Sequence, residues 1–137
     1  MSNDPINAHG SCVAYQGRAA LIIGGSGSGK STLALQLMSM GCDLVADDRT
    51  DIYPDLTVRA PATIKGLIEA RGIGILRAQP VSAQLLLVVD LDRIETERLP
   101  QTRHTTYHKH AIPLIYRVTG VHFPFGILQY LKEGRQD

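Results

Sequence analysis

The run Gly24-Gly25-Ser26-Gly27-Ser28-Gly29-Lys30-Ser31 constrains the path of this 137-residue chain more than any other stretch. Gly24, Gly29 and the Lys30-Ser31 pair stand at the full spacing of a phosphate-binding loop, which works only between a strand and a helix. Glycines let the backbone curl so that successive N–H groups point inward at phosphate oxygens. The start of a helix near Lys30 adds a positive partial charge. Lys30 is placed to reach the β- and γ-phosphates of ATP, and the Ser31 hydroxyl to ligate Mg²⁺, a hard cation that prefers oxygen. A glycine turn that only caps a helix has no need of Lys-Ser at that offset.

The flanks meet the requirement. Ser11 to Gln16 and Ala19 to Ile23 are β-prone runs split by Gly17-Arg18, so a hairpin leads into the loop and the sheet has antiparallel content. Ser31 to Met40 reads as a helix of three turns with Leu33, Leu37 and Met40 on one face and Gly41 as its C-terminal stop. Asp43 to Ala46 reads as a strand, and Thr50 to Tyr53 with Thr57 to Ala60 as a second hairpin around Pro54-Asp55. Leu67 to Ala70, Gly72 to Leu76 and Gln84 to Leu91 are further apolar runs, the last continuous enough for a strand buried on both faces. Ile112 to Val118 is the last expected strand, and Phe123 to Lys132 a closing helix with Pro124 in its first turn. In that helix Phe125 and Leu128 or Gln129 stand about a turn apart. The fold class is therefore α/β, a mixed sheet with antiparallel hairpins and few helices, in one domain over residues 1–137.

Fourteen Lys and Arg against thirteen Asp and Glu leave a net charge of +1, which gives no polyanion-binding surface and no reason to expect nucleic acid. Leu85 to Val89 is far short of the roughly 20 apolar residues of a membrane helix. The N-terminus lacks the basic-then-apolar order of a signal peptide, so the expected location is the cytoplasm, with no membrane partner. Cys12 and Cys42, each within a strand-like run, are expected as reduced, partly buried thiols.

Asp47-Asp48 ends the strand that follows the loop helix. Two adjacent carboxylates at one strand end can divide labour, one holding Mg²⁺ through water and the other accepting a proton from an incoming hydroxyl.

His9-Gly10, the loop Gly24 to Ser31, Val45-Ala46-Asp47-Asp48 and Leu67-Ile68-Glu69-Ala70-Arg71-Gly72-Ile73-Gly74-Ile75 occur in the order and spacing of the HPr kinase/phosphorylase catalytic domain. The chain resembles that family over roughly residues 8 to 100, closest to its short alphaproteobacterial type. The likeness implies the fold shared by HPr kinase and PEP carboxykinase, and transfer of phosphate from ATP to a serine of HPr, the phosphocarrier of the sugar phosphotransferase system. It also implies reversal by phosphorolysis and a possible homo-oligomer. By position, Asp47 matches the acid proposed as general base, Asp48 the neighbouring metal-associated acid, and His9 the histidine beside that pair. Glu69 matches a further acid near Mg²⁺. Arg98 aligns with an arginine that acts on the phosphates, although only Arg-Leu of that segment is kept. Thr32 stands where many members carry Glu and is grouped with the nucleotide-binding loop.

Two other classes compete with a protein kinase: a small-molecule kinase and a nucleotide sensor that performs no chemistry. The former would add an arginine-rich lid or a second substrate pocket, and the latter has no use for Asp47 and His9. Arg103 to His110 holds three histidines without a nearby acid or Cys, and reads as a solvated loop.

Overall fold

The computed structural model describes residues 3–136, so Met1, Ser2 and Asp137 of the 1–137 reading lie outside it. Its strands are β1 (Ile6–Tyr15), β2 (Arg18–Ile23), β3 (Asp43–Ala46), β4 (Arg49–Ile52), β5 (Thr57–Arg59), β6 (Leu67–Ala70), β7 (Gly74–Arg77), β8 (Ala83–Ile94), β9 (Arg103–Tyr107) and β10 (His110–Arg117). The helices are α1 (Lys30–Ser39) and α2 (Phe123–Glu133), with a short 3₁₀ turn at Ala62–Ile64. Turn residues explain the hairpins. Gly17, at φ 82, closes β1 onto β2, and Pro54-Asp55 joins β4 to β5. Gly41, at φ 108, stops α1 as expected.

Eight strands form one sheet, and its pairings run β2–β1–β4–β5–β8 and then return from β8 to β2, so the sheet curls shut. β3 pairs with β1, and β10 and β9 extend the sheet beyond β8. β8 runs parallel to both β2 and β10, and every other pairing is antiparallel. Because both faces are covered, the strands read as nearly unbroken apolar runs rather than alternating ones. Val13, Ala20, Ile22, Leu87 and Val89 face α1 and α2, packing on Leu33, Leu37, Ile127 and Leu131. Cys12, Ala14, Leu21, Val45, Ile52, Val58 and Val88 fill the face around which the sheet curls. Both cysteines are buried free thiols.

One expectation is overturned. Arg103 to His110 is no solvated loop: β9 and the start of β10 pair from Arg103–Leu114 to Tyr107–His110 around a two-residue turn. His108 and Lys109, at φ 50 and 68, form that turn, and His108 Nε2 bonds the Ile52 carbonyl at 2.7 Å. In α2 the inward face is Ile127 and Leu131, while Phe125 is 59% exposed. No helix of the described residues is long and apolar enough to cross a membrane.

β6 and β7 form a separate two-stranded hairpin. It rises beside the start of α1 and the end of β3, which sets the position of the site.

Candidate phosphate-transfer site

Residue by residue, the site begins with Gly10. A Cβ there would lie 2.6 Å from the Ile22 carbonyl oxygen, so only glycine lets β1 approach the end of β2. That approach carries Ser11 under the loop, where it is fully buried and donates to Asp47 Oδ1 at 2.8 Å. Ser31, in the first turn of α1, donates to the same oxygen at 2.7 Å. The backbone N–H of Glu69 donates to Asp47 Oδ2 at 3.0 Å. Asp47 is 7% exposed. Three donors from three elements thus fix a buried carboxylate against the loop serine.

Asp48 turns the other way. Its φ of 69 swings the side chain out of line with Asp47, leaving it 70% exposed and 3.2 Å from His9 Nε2. Its carbonyl accepts from Gly10 N at 2.9 Å, which keeps the His9-Gly10 segment beside it.

The loop itself has the shape its glycines allow. A Cβ on Gly24 would meet Ser28 Oγ at 2.6 Å, and Gly29, at φ 100, is the N-cap of α1. Lys30 is 7% exposed, and its ammonium donates to the Gly24 and Gly25 carbonyls at 2.8 and 3.0 Å.

Ser26, Gly27, Gly29, Lys30, Ser31 and Thr32 line a cavity of about 660 Å³. Its opposite wall is the β6–β7 hairpin, through Leu67, Glu69, Arg71 and Ile75, and its mouth holds His9 and Asp48. Gly24, Gly25 and Ser28 are not among the lining residues, and neither is Arg98, which is exposed beyond the end of β8. The structure therefore gathers Asp47, Asp48, His9, Glu69, Lys30 and Ser31 but not Arg98. Arg71, from the hairpin, is the arginine in the cavity wall.

Ser11, Asp92 and Arg117 were not singled out in the sequence. Asp92 follows the apolar run Gln84 to Leu91 just as Asp47 follows Leu44 to Ala46, which was a readable signal. Ser11 was hidden as one polar residue inside a buried strand, and Arg117 as one cation at the end of β10.

A family model described as "HPr Serine kinase C-terminal domain" matches residues 3–98. The chain belongs to the HPr serine kinase C-terminal domain family. It is 39% identical over 120 residues to an HPr kinase/phosphorylase of Aromatoleum aromaticum, covering 75% of this chain and 38% of that protein. It is 51% identical over 72 residues to the one of Lactobacillus johnsonii, covering 50% of this chain and 23% of the relative. The chain thus spans well under half the length of these curated relatives. The solved Hpr(Ser) kinase/phosphatase of Coxiella burnetii superposes with a TM-score of 0.76 at 23% identity, covering 93% of this chain and 88% of that one. The α/β fold with its largely antiparallel sheet is therefore the fold of this family.

Proposed function

We propose that the chain is the catalytic domain of an ATP-dependent protein-serine kinase acting on an HPr-like phosphocarrier, with phosphorolysis as its reverse reaction. The observation that carries this reading is the split acid pair beside a complete phosphate loop, one carboxylate sealed against Ser31 and the other at an open mouth beside His9. A nucleotide-binding sensor needs the first carboxylate but has no use for the second.

The geometry favours the reverse of the roles expected from the family likeness. Asp47 shares Ser31 Oγ, so these two oxygens are the set that would hold Mg²⁺. A hydroxyl beside one carboxylate fits that ion, which takes few protein oxygens and completes its shell with water and phosphate. Mg²⁺ held by these oxygens would supply positive charge that offsets the negative charge of the nucleotide phosphates. Asp48 faces the solvent from which an acceptor arrives, and becomes the general base. As the serine oxygen bonds to the γ-phosphorus and the bond to ADP breaks, Asp48 takes the hydroxyl proton. His9 Nε2, 3.2 Å away, orients that carboxylate. Lys30 supplies positive charge at the loop, and Arg71 takes the place expected of Arg98. Glu69 contributes its backbone N–H to Asp47 and presents its side chain to the cavity.

The test is incubation of the purified chain with radiolabelled ATP, Mg²⁺ and an HPr-like protein. One acid-stable phosphate should appear on the protein and vanish when its acceptor serine is changed to alanine, and free serine should take up none. Replacing ATP with inorganic phosphate should then release pyrophosphate. Label that appears on a metabolite and never on an HPr-like protein would overturn the proposed substrate.

A further inference from the structure

The phosphate loop is gripped from outside by two side chains that none of these roles uses. Along β10 the register against β8 breaks: Tyr116 stands opposite Asp90, but Arg117 stands opposite Ile94. Leu91, Asp92 and Arg93 are passed over in one step, and an irregularity of this kind re-aims side chains. Here it aims them at the loop, because Ile23, the last residue of β2, is itself opposite Asp90. Asp92 accepts from the Gly25 N–H with both carboxylate oxygens at 3.0 Å. From the other side of the break, Arg117 Nε donates to the Leu91 carbonyl at 3.0 Å, and its terminal nitrogen donates to the Ser28 carbonyl. Gly25 and Ser28 are the two ends of the loop's own turn, in which Ser28 N donates to the Gly25 carbonyl at 3.0 Å. Neither Asp92 nor Arg117 lines the cavity.

We infer that Asp92 and Arg117 are positioning residues that hold the Gly25–Ser28 turn in the shape that receives phosphate, a role that rests on the phosphoryl-transfer reading above. A loop of glycine and serine samples many conformations, and apparent affinity falls in proportion to the fraction that is competent to bind. Fixing both ends of the turn raises that fraction. Loss of the grip therefore shows in nucleotide affinity, whereas turnover at saturation is kept because bound nucleotide restores the turn. Charge alone predicts the opposite for Asp92, since an anion beside a phosphate site opposes binding.

Titration of the purified chain with Mg-ATP separates the two. Asp92→Ala and Arg117→Met should each raise the dissociation constant about tenfold, whereas Asp92→Asn, which keeps an acceptor oxygen and loses the charge, should stay within about threefold of wild type. Turnover at saturating ATP should stay within about twofold, a split between affinity and turnover that a general loss of folding does not produce. Asp92 is exposed, so its two variants carry the comparison whatever Arg117→Met does to folding. If Asp92→Ala binds Mg-ATP as tightly as wild type, or more tightly, while Lys30→Ala loses binding, the grip is refuted and the loop assignment stands. If wild type binds Mg-ATP but phosphorylates no protein, the kinase reading falls and the same dissociation constants still decide the grip.

Discussion

Asp47 satisfies three donors with two oxygens, and an asparagine in its place has only one oxygen to offer. Asp47→Asn should therefore lose Mg-ATP affinity and destabilise the fold by about 1–3 kcal/mol, the range for a buried donor left unpaired. Asp48→Asn should bind Mg-ATP as wild type does and slow phosphoryl transfer roughly 100-fold, the scale of a lost general base. Parallel nucleotide titrations and initial rates check the pair, and the opposite pattern would restore the roles expected from the likeness. The presence of two acids at a strand end was legible in the sequence. Their division was not, because it follows from the left-handed φ of Asp48, a conformation that Asp tolerates without any local mark. Gly10 is a second single-residue test. Gly10→Ala drives a methyl group into the Ile22 carbonyl and should lower stability by about 1–3 kcal/mol in a denaturant titration.

Hairpins whose turns carry glycine or proline could be read directly, as β1–β2 and β4–β5 show. β9–β10 escaped because its turn is His108-Lys109, two residues that adopt positive φ at a cost, and because β9 lies at the sheet edge with polar residues on its open face. The alternation exists in the structure, where Arg103, Thr105 and Tyr107 are half-buried while His104 and Thr106 are exposed, but Arg and Thr on the inner face give it no apolar signal in the sequence. Lys109→Gly should relieve the left-handed cost at φ 68 and raise stability by up to about 1 kcal/mol, leaving the His108 bond to Ile52 in place. Thermal unfolding checks the sign. In α2 the helical span was legible, but the sequence did not show which of its apolar residues face inward. Ile127 and Leu131 are one turn apart and meet α1, whereas Phe125 lies on the face that no described element covers, which only the docking angle decides.

Packing of the whole molecule sets its response to alkali. Burial, and then the neighbouring Asp43, push the Cys42 thiol from the ordinary 9.0 to about 11, and burial alone pushes Cys12 higher still. A group whose folded-state pKa is raised contributes stability in full below its unfolded value and loses it as pH rises through the folded one. Between about pH 9 and 11 the unfolded chain releases these protons while the folded chain keeps them, so stability should fall across that window and stay flat with respect to these groups below it. Urea unfolding at a series of pH values measures the slope, and Cys42→Ala should reduce it. The closed path of strands has a consequence of another kind. β8 supplies the parallel neighbour of β2 and the carboxylate under the loop, yet Ile23 must wait for Asp90 before that pairing exists. A nascent chain leaving the ribosome therefore carries its loop, and the apolar edge Ala19 to Ile22, long before the strand that covers them has been translated. During that interval β2 is an open edge that other chains can join, and premature stops before β8 should yield aggregates rather than weak nucleotide binders.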